Sequence, residues 1–186
     1  MGDLRERSLV RLAKKCEDAA SGLHAFRDQL PRYANGITGS VGRLFDISSQ
    51  LQEIDQAQGD QRYAASFYLI QNDLAVLRPT LEGTLDAIFE MFGGTRDKPY
   101  PTVWESFVYR MDREEGVDLF LRLGWYQEFL KAQFEEVTGR PGPDPSELRR
   151  ALVQLTERQE DTARKARRRS ADVSGTGGLM QICCLG

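Results

Sequence analysis

The sequence predicts an all-α protein, an elongated antiparallel helical bundle. Three observations carry this reading. Apolar residues recur at steps of three and four along most of the chain. No stretch shows the period-two alternation of a half-buried strand. The apolar stripes are separated by glycine, proline and capping residues of the kind that start and stop helices. A chain of 186 residues suits one domain and buries roughly 70% of its unfolded surface without a disulfide or metal staple. At 40% hydrophobic and 28% charged residues it is too apolar for wholesale disorder. It has no run of 18 apolar residues, so no transmembrane helix is expected. With no recognisable leader, the expected location is the cytoplasm.

The N-terminal stripe is the longest. One heptad position reads Leu9, Cys16, Leu23, Leu30, Ile37, Leu44, Leu51; the other reads Leu12, Ala19, Phe26, Tyr33, Ser40, Ile47, Ile54. A sustained period of 3.5 marks helices packed along a coiled-coil-like seam. Pro31 interrupts the stripe, at a cost of about 3 kcal/mol inside a helix. The heptad phase is the same on both sides, which favours one long helix, about residues 3–57, kinked near Pro31 and opened by Asp3 as N-cap. The rival is two helices with a tight break at Leu30–Pro31. Gly36, Gly39 and Gly42 weaken the segment after the proline but would let another helix approach closely.

A second helix follows Gln58-Gly59-Asp60, with the stripe Tyr63, Phe67, Ile70, Leu74, Leu77, Leu81, Ile88, Phe92, a kink at Pro79 and a stop at Gly93-Gly94. Residues 93–101 read as a loop. Thr102 and Glu105 have the spacing of a capping box for a short helix carrying Trp104, Phe107, Val108 and Met111 and punctuated by Gly116. A fourth helix, about 117–138, ends at Gly139. The breaker 140–145 follows, and Asp144-Pro145-Ser146-Glu147 opens the last helix. Leu148, Leu152 and Leu155 form its core stripe. From Glu157 to Arg169 the only apolar residues are Ala163 and Ala166, so the helix is expected to leave the bundle there. The organisation expected is a helical bundle over 1–156, a charged helical extension over 157–169 and a flexible tail over 170–186.

Little in the chain suggests reactive chemistry. His24 sits at the shoulder of the stripe with no nucleophile to serve. Glu114-Glu115 and Glu135-Glu136 are adjacent residues about 100° apart on a helix and read as solvated faces. The glycine series 36, 39, 42 lacks the strand and Lys-Ser/Thr of a phosphate loop. The cysteines form no CxxC pair on which to build a zinc site. No catalytic residue, metal or cofactor is therefore expected. The aromatics Trp104, Phe107, Phe120, Trp125, Tyr126 and Phe129 read first as core. The alternative is a partner groove built on Trp104, Trp125, Tyr126 and Phe129. Trp125 and Tyr126 cannot both point squarely inward, so one of them is expected to be exposed.

Charge divides the chain. Residues 1–162 carry 20 basic and 27 acidic side chains, a net −7. Residues 163–186 carry five basic and one acidic, a net +4. The five are Arg164, Lys165, Arg167, Arg168 and Arg169. After a Ser/Gly-rich spacer comes Leu179-Met-Gln-Ile-Cys-Cys-Leu-Gly186. Cys183 is the fourth residue from the end, as in a prenylation box, though glycine is not a usual terminal residue. Cys183 or Cys184 would also suit palmitoylation, with the basic block as the second signal for an anionic membrane surface. The block alone would also suit nuclear import or RNA contact, but the acidic body gives no bias towards nucleic acid, which is not an expected partner.

Tyr100-Pro-Thr-Val-Trp-Glu-Ser-Phe107, Leu119-Phe-Leu-Arg-Leu-Gly-Trp-Tyr-Gln-Glu-Phe-Leu130, Glu147-Leu-Arg-Arg150 and Ile88-Phe-Glu-Met-Phe-Gly93 resemble a group of uncharacterised fungal proteins. In that group a helical N-terminal region precedes a variable C-terminal part. It is similar in style to the helical N-terminal domains of fungal STAND-type signalling proteins. The resemblance covers roughly residues 9–160 and rests on packing residues, so it carries over no functional residue. The expected function is a non-catalytic protein–protein interaction or scaffold module, with a protein partner or self-association. The alternative is a peripheral membrane protein anchored through its C-terminal arm.

Overall fold

The computed structural model describes residues 3–63 and 65–175, with side chains from Leu9 to Arg169 apart from residue 64. Six α-helices account for most of these residues: α1 Asp3–Arg27, α2 Ala34–Gly59, α3 Phe67–Gly94, α4 Tyr100–Tyr109, α5 Leu119–Val137 and α6 Ser146–Gly175. No strand occurs among the described residues. The fold is an all-α bundle, as the periodicity predicts.

The expected single kinked helix is instead a hairpin of α1 and α2. Leu30, restricted by the proline after it, takes a non-helical conformation (φ −135°, ψ 61°), and Pro31–Tyr33 form one 3₁₀ turn. The two helices then pack side by side along their whole length. The connection and its junctions consume seven residue steps, from Arg27 to Ala34, which is one heptad. The phase therefore survives a reversal of the chain. Both halves of the stripe are buried, Leu9 to Phe26 on one helix and Ile37 to Ile54 on the other, with Leu30 buried in the connection, and they face each other. Across this seam Ser48 and Gln52 both donate to Glu17 Oε1, at 2.9 and 3.0 Å.

The bundle closes as a ring in which α1 packs on α2, α2 on α5, α5 on α3 and α3 on α1. α6 lies outside it, against α3 and α5. Cross-helix contacts fix the directions. Lys15 pairs with Asp86, and Gly22 lies under Phe92, so α1 and α3 run parallel. Arg149 meets Asp73, and Gln159 meets Thr84, so α6 runs the same way. α2 and α5 run opposite to these three. α4 is tied into one end by an aromatic cluster: Phe26 lies 5.8 Å from Phe92 and 6.2 Å from Trp104, and Trp104 lies 5.6 Å from Phe107.

The helix ends follow local chemistry. Asp118 caps α5 by accepting from the Leu121 amide at 3.0 Å. Asp144 accepts from the Ser146 amide and hydroxyl, at 2.9 and 2.6 Å, and so starts α6. α4, in contrast, begins two residues before the expected capping box. Pro101, with its φ already fixed, sits in the first turn, and no side chain caps the helix. α3 runs unbroken through Pro79 and stops at Gly94. Neither Gly93 nor Gly94 takes a left-handed conformation there, whereas Gly116 and Gly139 do, at φ 75° and 69°. The Thr95 hydroxyl instead closes the end of α3 on Phe92 O, at 2.8 Å.

Two glycines inside helices should respond oppositely to alanine. A Cβ on Gly22 would clash with the Phe92 ring, which packs against Phe26 and Phe89. A Cβ on Gly42 would meet nothing within 4 Å. Gly42→Ala should raise stability by about 0.5–1 kcal/mol. Gly22→Ala should lower it by about 1–3 kcal/mol. Urea denaturation of the two variants checks both signs.

Candidate functional site

The densest chemistry lies in the core, between α3, α5, α6 and the turn that follows α4. Arg110–Glu114 form a π turn, and Gly116, at positive φ, bends the chain into α5. This places Glu115 inside the protein, 1% exposed, opposite Arg122, which is 0% exposed. Arg122 Nη1 donates to Glu115 Oε2 at 2.8 Å, and Nη2 donates to Val117 O at 2.9 Å. Arg110 Nε donates to the other oxygen of Glu115 at 3.0 Å, and Arg110 Nη1 reaches Glu90 at 2.8 Å. Two anions and two cations thus alternate across α3, the π turn and α5. The expectation that Glu114 and Glu115 share a solvated face is corrected: Glu114 is exposed and Glu115 is buried.

Hydroxyls and an amide continue the network. Arg122 Nη1 and Gln159 Nε2 both donate to Thr84 Oγ1, at 3.3 and 3.0 Å. Tyr126 donates to Thr80 O at 3.0 Å, 2.9 Å from the Thr84 hydroxyl. Thr80 also meets Thr156 of α6 through their hydroxyls. Burial pushes the Tyr126 phenol well above its ordinary range. The arrangement joins four chain segments; its centre at Glu115, Arg122, Thr84 and Tyr126 is buried, while Arg110 and Glu90 reach the surface. It is suited to holding helices in place.

The sequence holds a trace of this network. Arg122 stands three residues after Leu119 and four before Tyr126, on the buried stripe of α5, and Thr80 and Thr84 flank Leu81 at core spacing. A charged residue in a core position signals a buried partner. Its identity as Glu115 depended on the π turn, which no local pattern announces.

The four aromatics proposed as one groove do not come together. Tyr126 and Phe129 are fully buried and belong to the core. Of the neighbours Trp125 and Tyr126, the tyrosine takes the inward position. Trp125 is half-buried beside Pro143, Pro145 and Leu148, in a cleft between α5 and the start of α6. Trp104 lines a different cleft, of about 360 Å³, between α2, α4 and α5. Phe107, Met111 and Leu119 lie buried beneath it, while Val108 (39% exposed) and Phe120 (45%) stand at its rim. Gly39 allows the Phe120 ring to lie against α2, with the Arg43 guanidinium 3.9 Å over its centre. Arg32 at the edge has no ion-pair partner among the described residues.

α6 stays docked further than its sequence predicts. Gln159 and Thr162 are buried, and Arg158 Nη1 donates to Glu115 O at 3.3 Å. Polar residues with partners in the network replace the apolar anchors that the extension lacks. Beyond Thr162 the basic residues face solvent: Arg164, Lys165, Arg167, Arg168 and Arg169 are all exposed. His24 is exposed. Cys183 and Cys184 lie outside the described residues. Among those described, no group of three His, Cys, Asp or Glu side chains could hold a metal ion, and no helix is long and apolar enough to cross a membrane. Comparison with protein-family models, with curated proteins and with solved structures finds no match.

Removing one partner of a buried ion pair strands the other. Glu115→Ala should cost about 3–5 kcal/mol, and the double variant Glu115→Leu, Arg122→Met should recover most of that loss. Denaturant titration of the two variants against wild type measures the recovery.

Cys16 is fully buried in the α1–α2 seam, and burial, followed by the charge of Glu17, pushes its thiol up to about 12. The unfolded thiol, with an ordinary pKa near 8.5, loses its proton first. Between about pH 9 and 12 the unfolded state therefore binds fewer protons, and stability falls as pH rises. Tyr126 adds to the decline above about pH 10. Cys16→Ala should flatten the fall between pH 9 and 10, read by urea denaturation at each pH. Peptide mapping should find Cys16 unalkylated by iodoacetamide in the folded protein at pH 8.

Proposed function

We propose that the protein is a non-catalytic helical interaction module whose docking face is the cleft between α2, α4 and α5. One observation carries this reading: the aromatic and aliphatic groups around Trp104 form a contiguous concave surface whose rim, Val108 and Phe120, stays exposed. The rest of the large apolar stripe is consumed by the protein's own helices. The groups with reactive potential, Glu115, Arg122 and Tyr126, are 0–1% exposed and committed to one another, which supports a non-catalytic role. The occupant that fits is an amphipathic segment of a partner protein. Its apolar anchor would enter over Phe107 and Met111, and a neighbouring carboxylate would pair with Arg32. Gly36, with open space at its Cβ position, lets such a segment come close to the α2 backbone.

The test is a paired affinity capture with wild type and the Val108→Glu, Phe120→Glu variant. The variant should stay folded, losing no more stability than the Arg43–Phe120 contact supplies, and lose a specific partner by at least about tenfold, as hot-spot truncations do. Equal retention of every captured protein by the variant would overturn the assignment of the cleft. Sedimentation velocity of the same pair separates self-association from a foreign partner.

A further inference from the structure

We infer that the exposed C-terminal part of α6 is a contact site for anionic lipid headgroups. The helix shows where its ties to the bundle end. Leu152, Leu155, Gln159 and Thr162 follow one another at steps of three and four on the buried face. From residue 164 to residue 169 every position is exposed, on every side of the helix. The helix has therefore parted from the bundle by that point, and it continues to Gly175, about 20 Å beyond Thr162.

On this arm the cations form two rows, Arg164 with Arg168 and Lys165 with Arg169, with Arg167 on the flank. Asp161 pairs with Arg164. Lys165, Arg167, Arg168 and Arg169 have no acidic partner among the described residues. Exposed cations on a projecting helix attract a surface of negative charge, at about 1 kcal/mol each near an anionic bilayer. The body, at net −7, would repel the same surface. The arm is longer than the screening length of about 8 Å at physiological salt, so the cations can reach the surface while the body stays outside its field.

The chemistry favours lipid over nucleic acid. Residues 157–175 contain no aromatic side chain on which a base could stack. Further along, the sequence Leu179-Met-Gln-Ile-Cys-Cys-Leu185 offers apolar groups and thiols that a bilayer accepts.

The experiment uses the full unmodified chain and its Arg164→Gln, Lys165→Gln, Arg167→Gln, Arg168→Gln, Arg169→Gln variant. Both are sedimented at 0.1 M salt with vesicles of phosphatidylcholine alone or with 30% phosphatidylserine. The wild type should bind the anionic vesicles at least tenfold more strongly than the neutral ones and release them at 0.5 M salt. The variant should bind the anionic vesicles on the order of 1000-fold more weakly. Its melting temperature should be unchanged, because these side chains touch nothing in the core. No preference for anionic vesicles, or equal binding by the variant, would overturn the inference. So would tighter binding to an unstructured RNA oligonucleotide than to the vesicles at the same salt. The cleft variant Val108→Glu, Phe120→Glu should bind vesicles like wild type, which keeps this site separate from the proposed docking face.

Discussion

The buried pair of Arg122 and Glu115 is the constraint around which the second half of the molecule is arranged. Each ion forfeits several kcal/mol of hydration inside the protein and regains it only if every partner is in place. Arg110 must reach Glu115 from the π turn, Val117 must turn its carbonyl to Arg122, and Thr84 must present its hydroxyl from α3. An apolar contact tolerates a small slide or rotation of one helix along another. This network does not, because a shift strands a charge. It therefore selects one register of α5 against α3, where Leu, Ile and Thr alone would have permitted several.

The first half of the bundle is held differently. The α1–α2 seam is a heptad stripe whose buried members are nearly all apolar, with Ser40 and Ser48 the polar exceptions on α2. Hydrophobic burial is non-directional and proportional to area, so this seam contributes stability more than specificity. Its register is refined at the edge, where Glu17 accepts from Ser48 and Gln52. An apolar hairpin beside a polar-locked triple of α3, α5 and α6 is a division of labour between two kinds of force.

That division explains what could be read from the residues alone. Periodicity reports apolar burial, and nearly every residue of the two heptad positions is indeed inside. Periodicity is blind to chain direction whenever a connection preserves phase, as Asp28–Tyr33 does, so one helix and two gave the same pattern. The polar core was harder to see. Thr80, Thr84, Arg122 and Gln159 interrupt stripes and look like surface residues until their partners are known. For α6 this moved the point of departure from Glu157 to beyond Thr162. The cleft was half visible: Trp104 belongs to it, but Tyr126 and Phe129 do not, because aromatic content says nothing about which wall of a helix faces out.

The parallel course of α1, α3 and α6 brings the functional candidates to one end of the molecule. α4 sits at that end and has two working sides. One side gives the cleft Trp104, Phe107 and, through the π turn, Met111. The other continues into Arg110 and Glu115, which bond to Glu90 and Arg122. The wall of the cleft is thus fixed to the buried ion pairs through a single turn of backbone. Arg158 of α6 bonds to the carbonyl of that same Glu115, so the base of the basic arm rests on it as well. Glu115 contributes to neither surface directly. By anchoring the turn between them, it sets the geometry with which both are presented.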